Sequence, residues 1–132
     1  MSDIKALLVN ADGSTEHITL PRDYSLQLEV LQQHIGGRID VIHMLREDGQ
    51  CADAIINHEA KILNLPVNEL ATAAFGPEDL IPEDGIAGVM VVMGAPDEDG
   101  EETNISEDLA DEITAMEHLY RREPSQDQGL MP

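Results

Sequence analysis

Short apolar runs separated by turn residues are the feature that most limits what this chain can fold into. Ile4–Val9 and Thr15–Leu20 flank residues 10–13 (Asn-Ala-Asp-Gly), whose Asp and Gly suit a tight turn, so this segment predicts an opening β-hairpin. No apolar run approaches the roughly eighteen residues of a transmembrane helix, so we expect no membrane span. Further runs predict strands at Ile39–Leu45, 52–56 and 86–93.

Three helices are predicted between and after these strands. Asp23 is placed to cap the first, and the pair Gly36 and Gly37 closes it, because glycine readily takes the left-handed conformation found at helix ends. A short second helix is predicted over residues 67–75. Ser106 is placed to cap the third. The apolar stripes are Tyr24, Leu28, Leu31 and Ile35 in the first helix and Leu109, Ile113, Met116 and Tyr120 in the third.

The order ββαβ(β)αβα predicts an α+β fold: a small mixed or antiparallel sheet with two or three helices and a C-terminal amphipathic helix. We expect Ile39–Leu45 to be central, because it is apolar on both faces, and residues 86–93 to form an interior strand. A chain of 132 residues suits one domain. It is predicted over residues 3–121, with an acidic linker at 95–105 and a flexible tail at 122–132.

The charge of the chain is strongly one-sided. No Lys or Arg lies between Lys61 and Arg121, where fifteen Asp and Glu contribute most of a net charge of -20. Such a surface repels phosphate and favours basic partners, so we expect no direct binding of nucleic acid or of an anionic membrane. Adaptation to salt should acidify both halves of the chain, yet residues 1–61 hold ten acids and five bases. The asymmetry favours a dedicated acidic face.

No catalytic or metal-binding pattern emerges from the reactive side chains. The five histidines lack His-x-x-x-His spacing, and no Gly-x-Ser-x-Gly elbow occurs. Cys51 lies near acids, surroundings that disfavour a reactive thiolate, and a lone cysteine without a secretory signal favours a reducing, cytoplasmic setting. An EF-hand loop centred on Gly100 would place Ala95 and Ser106 at its outer ligand positions, where neither serves. We therefore expect no enzyme activity, metal or cofactor.

Three segments together carry a resemblance to a known family. They are residues 9–13 (Val-Asn-Ala-Asp-Gly), residues 62–68 (Ile-Leu-Asn-Leu-Pro-Val-Asn) with Ala71 and Thr72, and residues 88–94 (Gly-Val-Met-Val-Val-Met-Gly). In this order they resemble a family of small domains of unknown function from actinobacterial phages and mobile elements, over about residues 4–94. Ala11 in the turn and Asn64, where glycine is common, depart from the pattern. The resemblance implies no enzyme activity and no site residues; it implies an accessory protein in a setting where small proteins often block a host factor.

The first functional hypothesis is a non-enzymatic acidic binding protein in the cytoplasm of the host cell. It would block a basic host protein surface as a DNA mimic or a counter-defence inhibitor. Duplex DNA carries about one charge per 1.7 Å, so a mimic needs carboxylates in rows. The linker and the exposed start of the last helix supply the candidate partner-binding residues: Asp97, Asp99, Glu101, Glu102, Asp108, Asp111 and Glu112.

The alternative is a small ligand-binding or enzymatic domain with a polar site at Asn68 and Thr72. These residues are four positions apart and therefore share one helical face. Plain structural roles fit them as well, with Asn68 capping the short helix and Thr72 at the surface. The stripe of the last helix packs either on the sheet or on a second copy of the protein, and the second case predicts a homodimer through this helix.

Overall fold

Eight elements follow one another in the described part of the chain, in the order ββαββαβα. A computed structural model describes residues 3–45, 51–60, 62–75, 85–101 and 103–120. The predicted α+β class is confirmed. The elements are β1 (Ile4–Val9), β2 (Thr15–Leu20), α1 (Tyr24–Ile35), β3 (Ile39–Leu45), β4 (Cys51–Asn57), α2 (Glu69–Phe75), β5 (Met90–Gly94) and α3 (Glu107–Tyr120).

The strands form one antiparallel sheet in the order β2-β1-β5-β4-β3. The predicted hairpin of β1 and β2 is present, with Val9 paired to Thr15 across the turn. Asn10 N donates to Ser14 O at 2.8 Å, and Gly13 has a φ of +88°, a left-handed conformation that glycine adopts without strain. The last strand, β5, lies at the centre and is buried along its whole length, as predicted for an interior strand.

Helices cover both faces of the sheet. On one face, Leu31 of α1 shares a core with Val91 of β5. On the other face, Leu70 of α2 and Ile113 of α3 share a second core with Val92. Because successive strand side chains point to opposite faces, the apolar residues of β5 serve both cores in turn. The sheet is therefore the middle layer of three, and β5 is its least exposed strand.

Strand β3 lies at the edge of the sheet, so the prediction of a central position was wrong. It pairs with β4 from Ile39 opposite Asn57 to Leu45 opposite Cys51. An apolar run indicates burial of the faces of a strand but says nothing about its order in the sheet, and β5 takes the inner place beside β4. Val41 of β3 is accordingly 42% exposed.

Strand β5 begins later than the predicted run 86–93, because residues 86–89 form a loop. Gly88 has a φ of +81°, which interrupts the extended chain, and its N–H donates to Pro66 O at 2.8 Å. A Cβ at Gly88 would lie 2.9 Å from Leu65 Cδ1, so the two segments approach closely. Ile86 lies in the core beneath α2. The apolar sequence of 86–89 therefore reflects burial in a loop.

The predicted acidic linker at 95–105 contains an ordered connection that closes against the sheet. Gly94 N donates to Thr103 O at 3.1 Å, and Ile105 N donates to Lys5 O at 2.9 Å. Asn104 Oδ1 accepts from Lys5 N at 2.8 Å. Since β1 pairs with β5 only from Leu7 to Val9, this segment continues the hydrogen bonding where the two strands stop pairing.

Helix α1 confirms the predicted caps but not the whole stripe. Asp23 Oδ1 accepts from Leu26 N at 3.1 Å, and Gly36 ends the helix with a φ of +87°. Leu31 and Ile35 are buried, whereas Tyr24, predicted on the same stripe, is 71% exposed. The first turn of α1 therefore buries Gln27 and leaves the ring of Tyr24 exposed.

Helix α3 packs on its own chain. Ser106 Oγ accepts from Leu109 N at 3.1 Å, as predicted for the cap. Leu109 and Ile113 are buried in the core that α2 shares, and Met116 and Tyr120 pack against it. Of the two predicted partners for this stripe, the structure shows the sheet face, so the observation that suggested a homodimer is accounted for within one chain.

Among the described residues, no helix has the length and the apolar character that crossing a membrane requires.

We predict that Gly94→Ala destabilises the fold by about 2 kcal/mol or more. A Cβ at this position would collide with Thr103 Oγ1 and with the main-chain oxygens of Thr103 and Asn104, so the segment that closes against β5 would have to move. Urea unfolding followed by far-UV circular dichroism measures the change. Gly37→Ala is the matched control, because its Cβ would meet only Asn57 Nδ2 at an ordinary 3.5 Å. Equal stability of the two variants would contradict the prediction.

Candidate functional site

The predicted partner-binding carboxylates lie on two neighbouring elements in the chain. Six are exposed: Asp97, Asp99 and Glu101 in the loop after β5, and Asp108, Asp111 and Glu112 on α3. The seventh, Glu102, lies outside the described residues. We call the six exposed residues together the acidic set.

The loop that carries three of them is closed by its own hydrogen bonds. Asp97 Oδ1 accepts from Asp99 N and from Glu101 N, both at 2.9 Å. Asp97 N donates to Glu101 O at 2.8 Å, and Gly100 N donates to Asp97 O at 2.9 Å with a φ of +79° at the glycine. One oxygen of Asp97 is therefore structural, a role the sequence prediction missed, and the loop holds Asp99 and Glu101 in a defined position.

The carboxylates of α3 are crowded near the start of the helix. Asp111 and Glu112 follow Asp108 by three and four positions, so each of them is a neighbour of Asp108 on the helix surface. Asp108 lies in the first turn, where the helix dipole favours a negative charge, but like charges at this spacing oppose each other by about 0.2–0.5 kcal/mol per pair. Helix α3 itself contains no Lys or Arg. A cationic partner would reduce this repulsion.

Asn68 and Thr72, the residues of the alternative site, are engaged with the main chain. The Asn68 side chain is fully buried, and its Nδ2 donates to Val9 O at 3.0 Å and to Gly88 O at 2.8 Å. Its Oδ1 accepts from Ala71 N at 3.0 Å, which is the predicted cap of the short helix, although α2 begins at Glu69 and not at residue 67.

Thr72 completes this arrangement. Its Oγ1 donates to Asn68 O at 2.9 Å and accepts from Ile86 N at 3.0 Å. A Cβ at Gly85 would lie 2.9 Å from the same Oγ1, so the loop before β5 fits closely over it. Both hydrogens of the Asn68 amide and the hydroxyl of Thr72 thus hold the chain together, and a ligand would have to displace these bonds.

Two histidines pair with carboxylates. His43 Nδ1 lies 2.6 Å from Asp53 Oδ1, and His58 Nδ1 lies 3.5 Å from Asp40 Oδ2. The second pair is more than half exposed and borders a cleft of about 170 Å³. Among the described residues, no group of three or more His, Cys, Asp or Glu is placed to hold a metal ion. Cys51 is exposed at the start of β4.

A cavity that the sequence did not predict lies between α1 and the β3–β4 edge. Its volume is about 120 Å³, and its mainly apolar walls include the polar side chains of Gln27 and Asp53. Both residues are buried. The available signals were an acid inside the apolar run of β4 and a glutamine four positions before Leu31, on the buried side of α1. Each is unremarkable alone, and only the fold brings them together.

A family model described as a domain of unknown function (DUF3846) matches residues 4–118. The match extends past the resemblance over residues 4–94 and takes in nearly all of α3. It confirms the expected kind of family, while origin in a phage or mobile element stays a proposal. No curated protein and no solved structure matches the chain.

We predict that Asn68→Asp destabilises the protein by about 3 kcal/mol or more, measured by urea unfolding. The substitution keeps the shape of the side chain but turns the two-hydrogen donor into an oxygen that faces Val9 O and Gly88 O in a fully buried position.

Asn104→Asp is the matched control for this substitution. Asn104 is exposed and acts as an acceptor from Lys5 N, which a carboxylate also serves. We expect its stability to stay within about 0.5 kcal/mol of the unmodified chain. If Asn68→Asp were as mild as Asn104→Asp, the buried amide would not have the structural role assigned to it.

Proposed function

The chain belongs to this family of domains of unknown function, and we propose that it is a non-enzymatic acidic binding protein whose acidic set engages a basic protein surface. In its finer form the proposal is that a phage or a mobile element encodes the protein, and that it blocks a host protein in the host cytoplasm. One observation carries the proposal: six exposed carboxylates lie on two ordered elements that contain no Lys or Arg.

The acidic set lies on ordered elements, which favours a role in binding over a role in solubility alone. The loop is closed through Asp97, and α3 is anchored by its Ser106 cap and by Leu109 and Ile113 in the core. Carboxylates on a rigid support lose little conformational freedom on binding, so more of the electrostatic attraction appears as affinity. Solubility alone would be served equally by acids on mobile segments.

The charge density of α3 bears on mimicry of DNA. A helix of 14 residues is about 21 Å long, over which one DNA strand carries about six phosphates and the duplex about twelve. Helix α3 carries five acidic residues, of which Glu117 accepts from Thr15 N and Thr15 Oγ1. The helix therefore matches part of one strand, and mimicry of a longer site would need the loop at 97–101 as well.

We predict that neutralising the seven candidate residues to Asn and Gln weakens binding to a basic partner at least about tenfold. The partner is first obtained by affinity capture from the host at low salt and then measured by titration calorimetry at several salt concentrations. Binding of the unmodified chain should weaken steeply as salt rises, because attraction between exposed charges is screened beyond about 8 Å at physiological ionic strength. The seven-residue variant should show a much shallower dependence.

A control variant with the same change in net charge separates a specific face from general acidity. The first 61 residues contain seven acids besides the turn and cap residues Asp12 and Asp23 and the buried Asp53. They are Asp3, Glu16, Glu29, Asp40, Glu47, Asp48 and Glu59. The proposal requires this control to keep its affinity within about threefold at physiological salt; an equal loss in both variants would make the acidity a solubility trait.

Competition with DNA tests the mimicry. If the captured partner binds DNA, the unmodified chain should displace a duplex from it, and the seven-residue variant should not. A partner that binds the chain and the duplex together would exclude mimicry while leaving the acidic binding function in place.

A further inference from the structure

The cavity between α1 and the β3–β4 edge holds two buried polar groups that its apolar walls do not explain. Leu28, Ile55 and Met93 are among the wall residues. Gln27 is 4% exposed, and the side chain of Asp53 is 12% exposed. Polar groups in such surroundings lose their hydration, so each needs a hydrogen-bond partner.

Gln27 is only partly satisfied. One Nε2 hydrogen donates to Pro21 O at 3.0 Å, which orients the amide and leaves Oε1 and the second Nε2 hydrogen for further bonds. Within the described part of the chain, Oε1 accepts no hydrogen bond. A buried acceptor left without a partner costs about 1–3 kcal/mol. Beside a cavity, such an acceptor is available to a donor that enters the cavity.

Asp53 is in a similar state. Its Oδ1 lies 2.6 Å from His43 Nδ1, and the His43 side chain is 79% exposed to solvent. Its Oδ2 accepts no hydrogen bond from any residue that the structure describes. A buried carboxylate is costly unless it is paired, and one hydrogen bond from a histidine leaves the second oxygen without a donor.

We propose that this cavity binds the ammonium group of a short alkylamine. An ammonium group has three donors and no acceptor, which complements the open oxygens of Asp53 and Gln27. The alkyl chain would lie against the apolar walls, and the largely exposed ring of Tyr24 at the rim can approach the cation through its face. A cavity of about 120 Å³ suits a ligand of a few heavy atoms, since one of about 150 Å³ holds benzene.

No residue of the acidic set lines this cavity, although Pro96 in its wall directly precedes Asp97. The cavity lies on the face of the sheet that α1 covers, whereas α3 covers the other face. A free alkylamine and the side chain of a lysine in another protein offer the same chemistry, so the experiment uses one probe for each. The net charge of -20 favours either cation near the surface.

The test is a titration of the full chain with butylammonium chloride, followed through amide chemical shifts at constant ionic strength. Saturable shifts of Gln27, Asp53 and Met93 are expected, with a Kd of about a millimolar for so small a ligand. Butan-1-ol has the same alkyl chain without the charge and should bind at least about tenfold more weakly. Equal binding of the alcohol would overturn the proposal, because the positive charge would then contribute nothing. The absence of a saturable shift with either probe would also overturn it and would make the cavity a site for water only.

Two substitutions of the same kind separate the cavity from general charge. Asp53→Asn should weaken butylammonium binding at least about tenfold. Asp40→Asn is the matched control, because Asp40 also pairs with a histidine but does not line this cavity. Equal affinity of the two variants would overturn the proposal.

A third substitution keeps the test valid if Asp53→Asn does not fold. Val41 lines the cavity, is 42% exposed and lies on the edge strand, where lysine is well tolerated. Val41→Lys supplies an ammonium group of its own, so it should abolish butylammonium binding while the melting temperature stays unchanged or rises. Undiminished binding would overturn the proposal.

The second probe is Nα-acetyl-lysine N-methylamide. Tighter binding than butylammonium assigns the cavity to a lysine side chain of a partner protein, and weaker binding assigns it to a free amine. Both results support recognition of ammonium.

Discussion

The side-chain amide of Asn68 is the interaction on which the arrangement of the sheet depends. Its two hydrogens join Val9 O, at the end of β1, to Gly88 O, just before β5. Val9, the last residue of β1, pairs with Met90, the first residue of β5. The amide therefore lies at the end of the β1–β5 ladder. Since β5 connects the β1–β2 hairpin to the β3–β4 pair, this amide helps to hold the register of the whole sheet.

Elements set by local sequence could be predicted. The opening hairpin follows from the turn at 10–13, and the helix caps at Asp23 and Ser106 follow from side chains that accept from nearby N–H groups. The cap at Asn68 belongs to the same class, because its Oδ1 accepts from Ala71 N three positions further along the chain. In each case the residues that determine the structure lie within a few positions of one another.

What could not be predicted depends on contacts between distant segments. The edge position of β3 follows from β5 entering beside β4, and nothing within Ile39–Leu45 encodes that order. The apolar sequence of 86–89 predicts a strand, whereas these residues form a loop that lies against Leu65 and Pro66. Nothing in the sequence near 86–89 indicates that contact. The cavity is a stronger case, since Gln27 and Asp53 come from separate elements and each alone resembles an ordinary buried polar residue.

Some of the acidic side chains accept hydrogen bonds from the main chain of this protein. Asp12, Asp23 and Asp97 each accept from main-chain N–H groups, so their charges fix turns and a helix start as well as contributing to the field. Neutralising a carboxylate used in this way also loosens the local structure, so a loss of binding cannot be assigned to its charge alone. Asp99 and Asp111 differ, since they are exposed on supports that other groups hold in place. The effect of substituting Asp97 on binding should therefore be compared with the effects of substituting Asp99 and Asp111. Those two substitutions measure the electrostatic contribution without disturbing the hydrogen bonds of the loop.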